Sequence, residues 1–387
     1  MPNSLEITGG RVVLPDGVVD DAKLRIVDGL IDGVCEDGGT TTHWDARGLL
    51  VAPGVVDLHG DAFERQIMPR PGVHFAIDLA LVDSDRQLVA NGITTAFHAV
   101  TWSWEPGLRS GAAAEELAQA ITAMDGRLAC DTRLHLRWET FNLDEERAAE
   151  SWLAEDRAGL FAFNDHTPNM VHKTEGPVEL RKVVERTGLP HEDFFKLLER
   201  VWARRDEVPD SIARLAACAR DRGLPMASHD DPSPEIRGYY HALGCTMSEF
   251  PKTEATARAA RASGGAVIMG APNVVRGGSH LNAVSATALI DAGFCDVLCT
   301  DYYYPAPVAA ALRLASEGVM ALSDAWALVA GEPAAAAGLD DRGTIAPGKR
   351  ADLVLIDDSR DRCPRVVATI VAGRPVFVAQ DLRASGG

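Results

Sequence analysis

No stretch of this 387-residue chain stays apolar for long enough to cross a bilayer, so no helical membrane span is expected. The first twenty residues lack a charged segment followed by an apolar one, so no secretory leader is expected either. Basic residues are scarce: 38 Lys and Arg stand against 56 Asp and Glu, for a formal net charge of -18. That balance argues against nucleic acid or an anionic membrane as partner. It also means that an anionic substrate needs local cations or metal ions. The seven cysteines are odd in number, scattered, and form no CxxC pair. They suit a reduced cytoplasmic protein rather than a disulfide framework. Internal repeats and low-complexity tracts are missing too. What is present is apolar: 46% hydrophobic residues allow a large buried core, and the length suits two domains or one large barrel with additions.

Both ends of the chain read as β structure. Leu5–Ile7, Arg11–Leu14 and Lys23–Val27 are short strand-like runs broken by turns, and Ala351–Asp357 and Val366–Val376 match them at the far end. A β-sandwich domain over 1–50 and 340–387, formed by both chain termini, is the economical reading. Between them, strand candidates at 55–59, 94–100, 133–139, 159–164, 225–229, 244–249, 266–270 and 296–301 alternate with helical patterns. Eight strands alternating with helices give the α/β class and a (β/α)8 TIM barrel over 51–339. The segment 173–222 is too long for a loop and reads as a helical insertion between the fourth and fifth strands.

The barrel's chemistry is expected where its strands end. The first strand, Val55–Leu58, runs into His59-Gly60-Asp61, and side chains two apart on an extended chain share a side. An imidazole and a carboxylate so placed can hold a divalent ion. Later strands end in Glu139, in Asp165 and His166, in His229, in Glu249 and in Asp301. Such a set suits one or two divalent metal ions, zinc or else manganese or iron, with Glu139 as a bridge. Asp165, Asp230 and Glu249 read equally well as capping groups or as partners that orient ligands. His98, His135 and His172 carry no spacing signal.

These strand-end residues, with Thr300-Asp301 and the stretch Gly343–Leu353, resemble the amidohydrolase superfamily over nearly the whole chain. Met68-Pro69-Arg70-Pro71, Asp165–Pro168, Ala227–Asp231 and Met269–His280 resemble its branch of diphosphatases in the carbon–phosphorus lyase pathway of phosphonate metabolism. That branch runs His-Thr-Asp-Asn-Leu-Glu where this chain has His59-Gly60-Asp61-Ala62-Phe63-Glu64. The superfamily's usual order puts histidines on strands five and six, whereas the strand count here puts His166 and His229 on four and five. The resemblance implies hydrolysis of α-D-ribose 1-methylphosphonate 5-triphosphate to the 5-phosphate and pyrophosphate. It implies metal ligands His59, Asp61, Glu139, His166, His229 and Asp301, with Asp301 also catalytic. It further implies that Glu64, Arg70, Asn273, Arg276 and His280 bind substrate. Arg276 precedes Gly277-Gly278, where backbone N–H groups could approach a phosphate. The same metals would support amide hydrolysis of an N-acyl or cyclic amide substrate, and a non-catalytic scaffold is the remaining alternative. A small phosphorylated sugar is the expected partner, with a homodimer as the default assembly.

Overall fold

The computed structural model describes residues 4–34, 42–172, 183–278, 284–360, 363–379 and 383–386. The N-terminal part supplies strands β1 (Ser4–Leu14), β2 (Gly17–Val27), β3 (Leu30–Val34), β4 (Thr42–Asp45) and β5 (Leu50–Pro53). The C-terminal part supplies β14 (Leu353–Asp357), β15 (Arg365–Val371), β16 (Arg374–Val378) and β17 (Arg383–Gly386). They form one nine-stranded sheet in which β14 pairs antiparallel with β5, so the two ends of the chain meet in the middle of it. Its core is made by alternate residues such as Ile7, Leu24, Ile26, Val51, Leu355 and Ile370, all nearly inaccessible.

The eight strands in between are β6 (Val55–Gly60), β7 (Ile93–Trp102), β8 (Asp131–Glu139), β9 (Leu160–Asn164), β10 (Met226–His229), β11 (Met247–Glu249), β12 (Ala266–Gly270) and β13 (Val297–Cys299). Every neighbouring pair is parallel, and the order follows the chain. The strands fall where the sequence pattern placed them, so His229 does sit on the fifth strand and His166 follows the fourth. Outward-facing residues such as Phe161 and Phe163 pack under the helices. Inward-facing ones such as Leu58, Ala162, Ala227, Ile268 and Val297 fill the lumen. That filling makes the barrel a packed core with its chemistry confined to one rim.

The barrel closes between β6 and β13. Gly60 bridges Asp301, the Asp301 N–H donates to the His59 carbonyl at 2.9 Å, and the Asp61 N–H donates to the Asp301 carbonyl at 2.9 Å. Behind the seam, the buried Asp57 carboxylate accepts from the Thr300 N–H at 2.8 Å and from its hydroxyl at 2.6 Å. Gly60 is required there: a Cβ would lie 2.5 Å from Asp57 Oδ2 and 2.8 Å from Thr300 Oγ1. The insertion after β9 contains the helices His191–Trp202 and Val208–Asp221, and residues 173–182 lie outside the described set.

Candidate functional site

The rim of the barrel gathers imidazoles and carboxylates around Glu249. This residue ends the three-residue strand β11 and is fully buried. Its Oε1 lies 3.0 Å from His59 Nδ1 and 3.7 Å from His135 Nε2, and its Oε2 lies 3.1 Å from His229 Nδ1. The His59 and His229 rings stack with centroids 5.3 Å apart, and the Phe250 ring stands edge-on to both. A register shift between Asp57 and Gly60 turns His59 into this cluster, as a bulge re-aims a side chain. On the barrel rim, three non-glycine residues just past strand ends adopt left-handed backbone: Asp230 (φ 62), Phe250 (φ 51) and Asp301 (φ 54). Each costs on the order of 1–3 kcal/mol and is held by its surroundings, a pattern typical of active sites.

Among the described residues, two sets of ligand atoms come close enough to share a cation: His59, His229 and Glu249, and His166, His229 and Asp230. The donor chemistry fits a divalent ion. His135 Nδ1 donates to the Leu58 carbonyl at 3.0 Å, which leaves its Nε2 as a lone pair facing the Glu249 carboxylate. Neither His135 Nε2 nor Glu249 Oε1 has a hydrogen-bond partner, and both are buried. Two buried acceptors facing each other call for a shared cation. Burial, and after it the Arg137 charge, holds His59 and His229 well below the usual imidazole range, and burial brings His135 down to about 3. All three rings are therefore neutral, the form that ligates.

The remaining candidates are distributed around this centre. Asp61, past the strand end, faces Arg137, with its Oδ2 3.6 Å from Nη1, rather than joining His59. Glu139 lies outside both ligand sets. Its Oε1 accepts from the N–H groups of His166 and Thr167, both at 3.1 Å, and from the Thr167 hydroxyl at 2.8 Å, so it caps the helix Thr167–His172. Its Oε2 lies 3.5 Å from His166 Nδ1. Burial, then the Glu139 charge, pushes Asp165 up to about 6, and burial, then the Asp61 charge, pushes Asp301 up to about 7. Glu64 is taken up by a two-pronged pair with Arg109 at 2.9 Å. Arg70 and Arg276 are exposed; Arg276 Nη1 donates to the Tyr302 hydroxyl at 3.3 Å. Asn273 projects near Asp301: the Cβ that Gly270 lacks would lie 3.1 Å from Asp301 Oδ2 and 3.5 Å from Asn273 Nδ2. The expectation for Gly277-Gly278 needs correction. Their N–H groups donate to the Asn273 and Val274 carbonyls and close the helix Ala271–Arg276, so they are not free for a phosphate. His280 lies outside the described residues.

Two site residues carried a signal that pattern reading passed over. In Leu134-His135-Leu136-Arg137-Trp138-Glu139 the polar residues alternate strictly with apolar ones, so His135 and Arg137 share Glu139's inward face. Arg137 is 4% exposed and reaches the centre of the cluster.

A closed parallel (β/α)8 barrel with neutral histidines and carboxylates on one rim defines a barrel of the metal-assisted hydrolase type. The chain belongs to the amidohydrolase family, whose profile matches residues 76–377, and it is a hydrolase of that superfamily. Members generally bind divalent metals. It is 33% identical over 364 residues to the α-D-ribose 1-methylphosphonate 5-triphosphate diphosphatase of Escherichia coli K12, covering 90% of this chain and 94% of that protein. It is 26% identical to an adenine deaminase of Methylobacterium sp. strain 4-46, covering 93% of this chain and 58% of that protein. Among solved structures, dihydropyrimidinase of Brevibacillus agri NCHU1002 superposes with a TM-score of 0.64 at 13% identity, over 99% of this chain and 97% of that one. No helix among the described residues is long and apolar enough to cross a membrane.

Proposed function

We propose that this protein hydrolyses α-D-ribose 1-methylphosphonate 5-triphosphate, releasing pyrophosphate and leaving the 5-phosphate. The observation that carries this reading is the 33% identity that spans 94% of the Escherichia coli diphosphatase. His59, His229 and Glu249 would hold a divalent ion, with His166 and Asp230 forming the adjoining set. Zinc suits the donors best; manganese and iron are compatible. When bound, the ion supplies Lewis acidity and lowers the pKa of water. The protein's own groups do the rest. Asp301 holds its carboxylate at the mouth, where Gly270 leaves room beside Oδ2, and accepts a proton from the attacking water. Water adds to the α-phosphorus, the bond to the bridging oxygen breaks, and pyrophosphate leaves with the electron pair. Arg65 and Arg276 both anchor on Tyr302, one on its carbonyl and one on its hydroxyl, and present cations for the triphosphate. Lys252, 3.3 Å from Asp230, adds a third.

The adenine deaminase relative favours a second reading, attack of water on carbon with release of ammonia from an aminopurine or of an amine from an amide, as in the amide hydrolysis weighed above. Metal-loaded protein should be assayed with the ribose triphosphate for pyrophosphate and, in parallel, with adenine for ammonia and N-acyl amides for amine release. Pyrophosphate release supports the diphosphatase. Ammonia or amine release without any pyrophosphate moves the enzyme to the second reading.

A further inference from the structure

We propose that Arg137 is a built-in competitor of the metal ion for His229: its guanidinium takes up the lone pair that an ion would need and must let go of it when one binds. The inference rests on the reading of the cluster as a cation site. Arg137 Nη2 lies 3.2 Å from His229 Nε2, in hydrogen-bond geometry. Guanidinium has donors only, so Nε2 is the acceptor and carries no proton. The single proton of the neutral ring is then on Nδ1, which donates to Glu249 Oε2 at 3.1 Å.

This arrangement excludes an ion from His229 by either nitrogen. An ion on Nε2 needs the lone pair that Arg137 is using. An ion on Nδ1 forces the proton onto Nε2, where it would face the guanidinium's own N–H groups. Because His229 belongs to both ligand sets, the contact bears on both.

The guanidinium is poorly settled where it is. It is almost wholly buried, yet Nε and Nη1 have no hydrogen-bond partner. Its nearest carboxylate is Asp61, with Oδ2 3.6 Å from Nη1, just too far for a bond. A buried cation with two unused donor groups is costly. A rotation that gives up His229 and closes on Asp61 would satisfy it, and would leave both Nε2 and the ion free of a like charge. Ion loading and a direct Arg137–Asp61 hydrogen bond thus form together.

The test is zinc binding, measured by calorimetry against a competing chelator and counted by elemental analysis, in the parent, Arg137→Met and Arg137→Gln. Arg137→Met should bind zinc about 10- to 100-fold more tightly than the parent, the worth of a charge-assisted hydrogen bond that no longer has to break. Arg137→Gln, which keeps a neutral donor, should fall between. Equal or weaker zinc affinity in both variants overturns the proposal while leaving the metal site intact. Absence of zinc from the parent and both variants overturns the metal site as well. Should neither variant fold, a crystal structure of the zinc-loaded parent decides. A guanidinium beyond hydrogen-bond reach of His229 Nε2 and paired with Asp61 supports the proposal, and one still seated on Nε2 refutes it.

Discussion

Replacing Arg237 by Met should cost this protein a large share of its stability without touching a single ligand atom. Arg237 is 2% exposed and sits behind β10 and β11, the strands that end in His229 and Glu249. Its guanidinium donates to the Ser228 hydroxyl at 2.6 Å, to the Met247 carbonyl at 2.8 Å and to the Cys245 carbonyl, and lies 3.5 Å from Asp231 Oδ2. Asp231 is equally buried, and burial already pushes its carboxyl up. Methionine fills the volume but strips two carbonyls and leaves Asp231 without a counter-charge. Breaking a buried pair by removing one partner costs about 3–5 kcal/mol. At about 2.1 cal/mol/K of unfolding entropy per residue, the 387 residues give about 0.8 kcal/mol/K, so Tm should fall by about 4–6 °C. The Asp231→Asn change made in the same chain removes the stranded charge and should recover part of the loss. Sign matters for the pH dependence. A carboxyl whose folded pKa is raised above its unfolded value destabilises when ionised, and without Arg237 that rise grows. The deficit of Arg237→Met should therefore shrink as pH is lowered from about 8 to about 5. Calorimetric melts of parent, single and double variants at both pH values are the assay. A Tm within about 1 °C of the parent, or a double variant as damaged as the sum of the singles, would refute the account.

Asp301→Asn should keep most bound metal and substrate affinity while kcat falls about 10²–10⁴-fold, read by steady-state kinetics beside elemental analysis; loss of metal instead would make Asp301 a ligand first. Gly60→Ala drives a Cβ into the Asp57–Thr300 seam and should cost on the order of 1–3 kcal/mol in urea melts, with unchanged stability refuting the contact. Asp131 accepts from Arg342 at 2.5 Å and from Arg350 at 2.9 Å; burial works to raise its carboxyl, and these cations with Arg133 outweigh it and hold it well below 3.8. That stabilisation is present in full above about pH 4 and is lost only as pH falls through the strongly depressed folded value, so the difference between parent and Asp131→Asn in urea melts should be full at neutral pH and smaller, but not abolished, at pH 3. A difference that does not shrink at all between neutral pH and pH 3 would mean that packing, not charge, is at stake.

The barrel was legible because each of its strands is short, apolar and bounded by turn residues, and because helices such as Glu254–Ala262 carry their apolar face at helical spacing. His59, His229 and Asp301 were legible for the same reason: each stands at a visible strand end. What the pattern leaves open is reach across the barrel. Glu249 could equally have been a cap, and only closure brings it between His59 and His229, residues 170 positions apart in the chain. Asp61 shares an extended-chain side with His59, but the register shift in β6 separates their directions, and Asp61 meets Arg137 instead. Glu139 reads as a metal bridge from its position alone. The backbone N–H groups of His166 and Thr167, which claim its Oε1, belong to a helix start whose direction no local pattern specifies.

The seam that closes the barrel joins His59-Gly60-Asp61 to Thr300-Asp301, and the sheet alongside it joins β5 to β14. On the ribosome these partners emerge far apart in time. At about 5–20 residues per second, the roughly 240 residues between them separate His59 from Asp301 by about 12–48 seconds. Until then β6 has an open edge, and its apolar run Val55-Val56 lacks its last neighbour. No half-assembled site that needs Asp301 can act early, because Asp301 and the final strand arrive together. The same delay makes the nascent chain a natural client for chaperones that shield apolar edges, and it makes expression yield sensitive to changes at the seam even where the finished enzyme tolerates them.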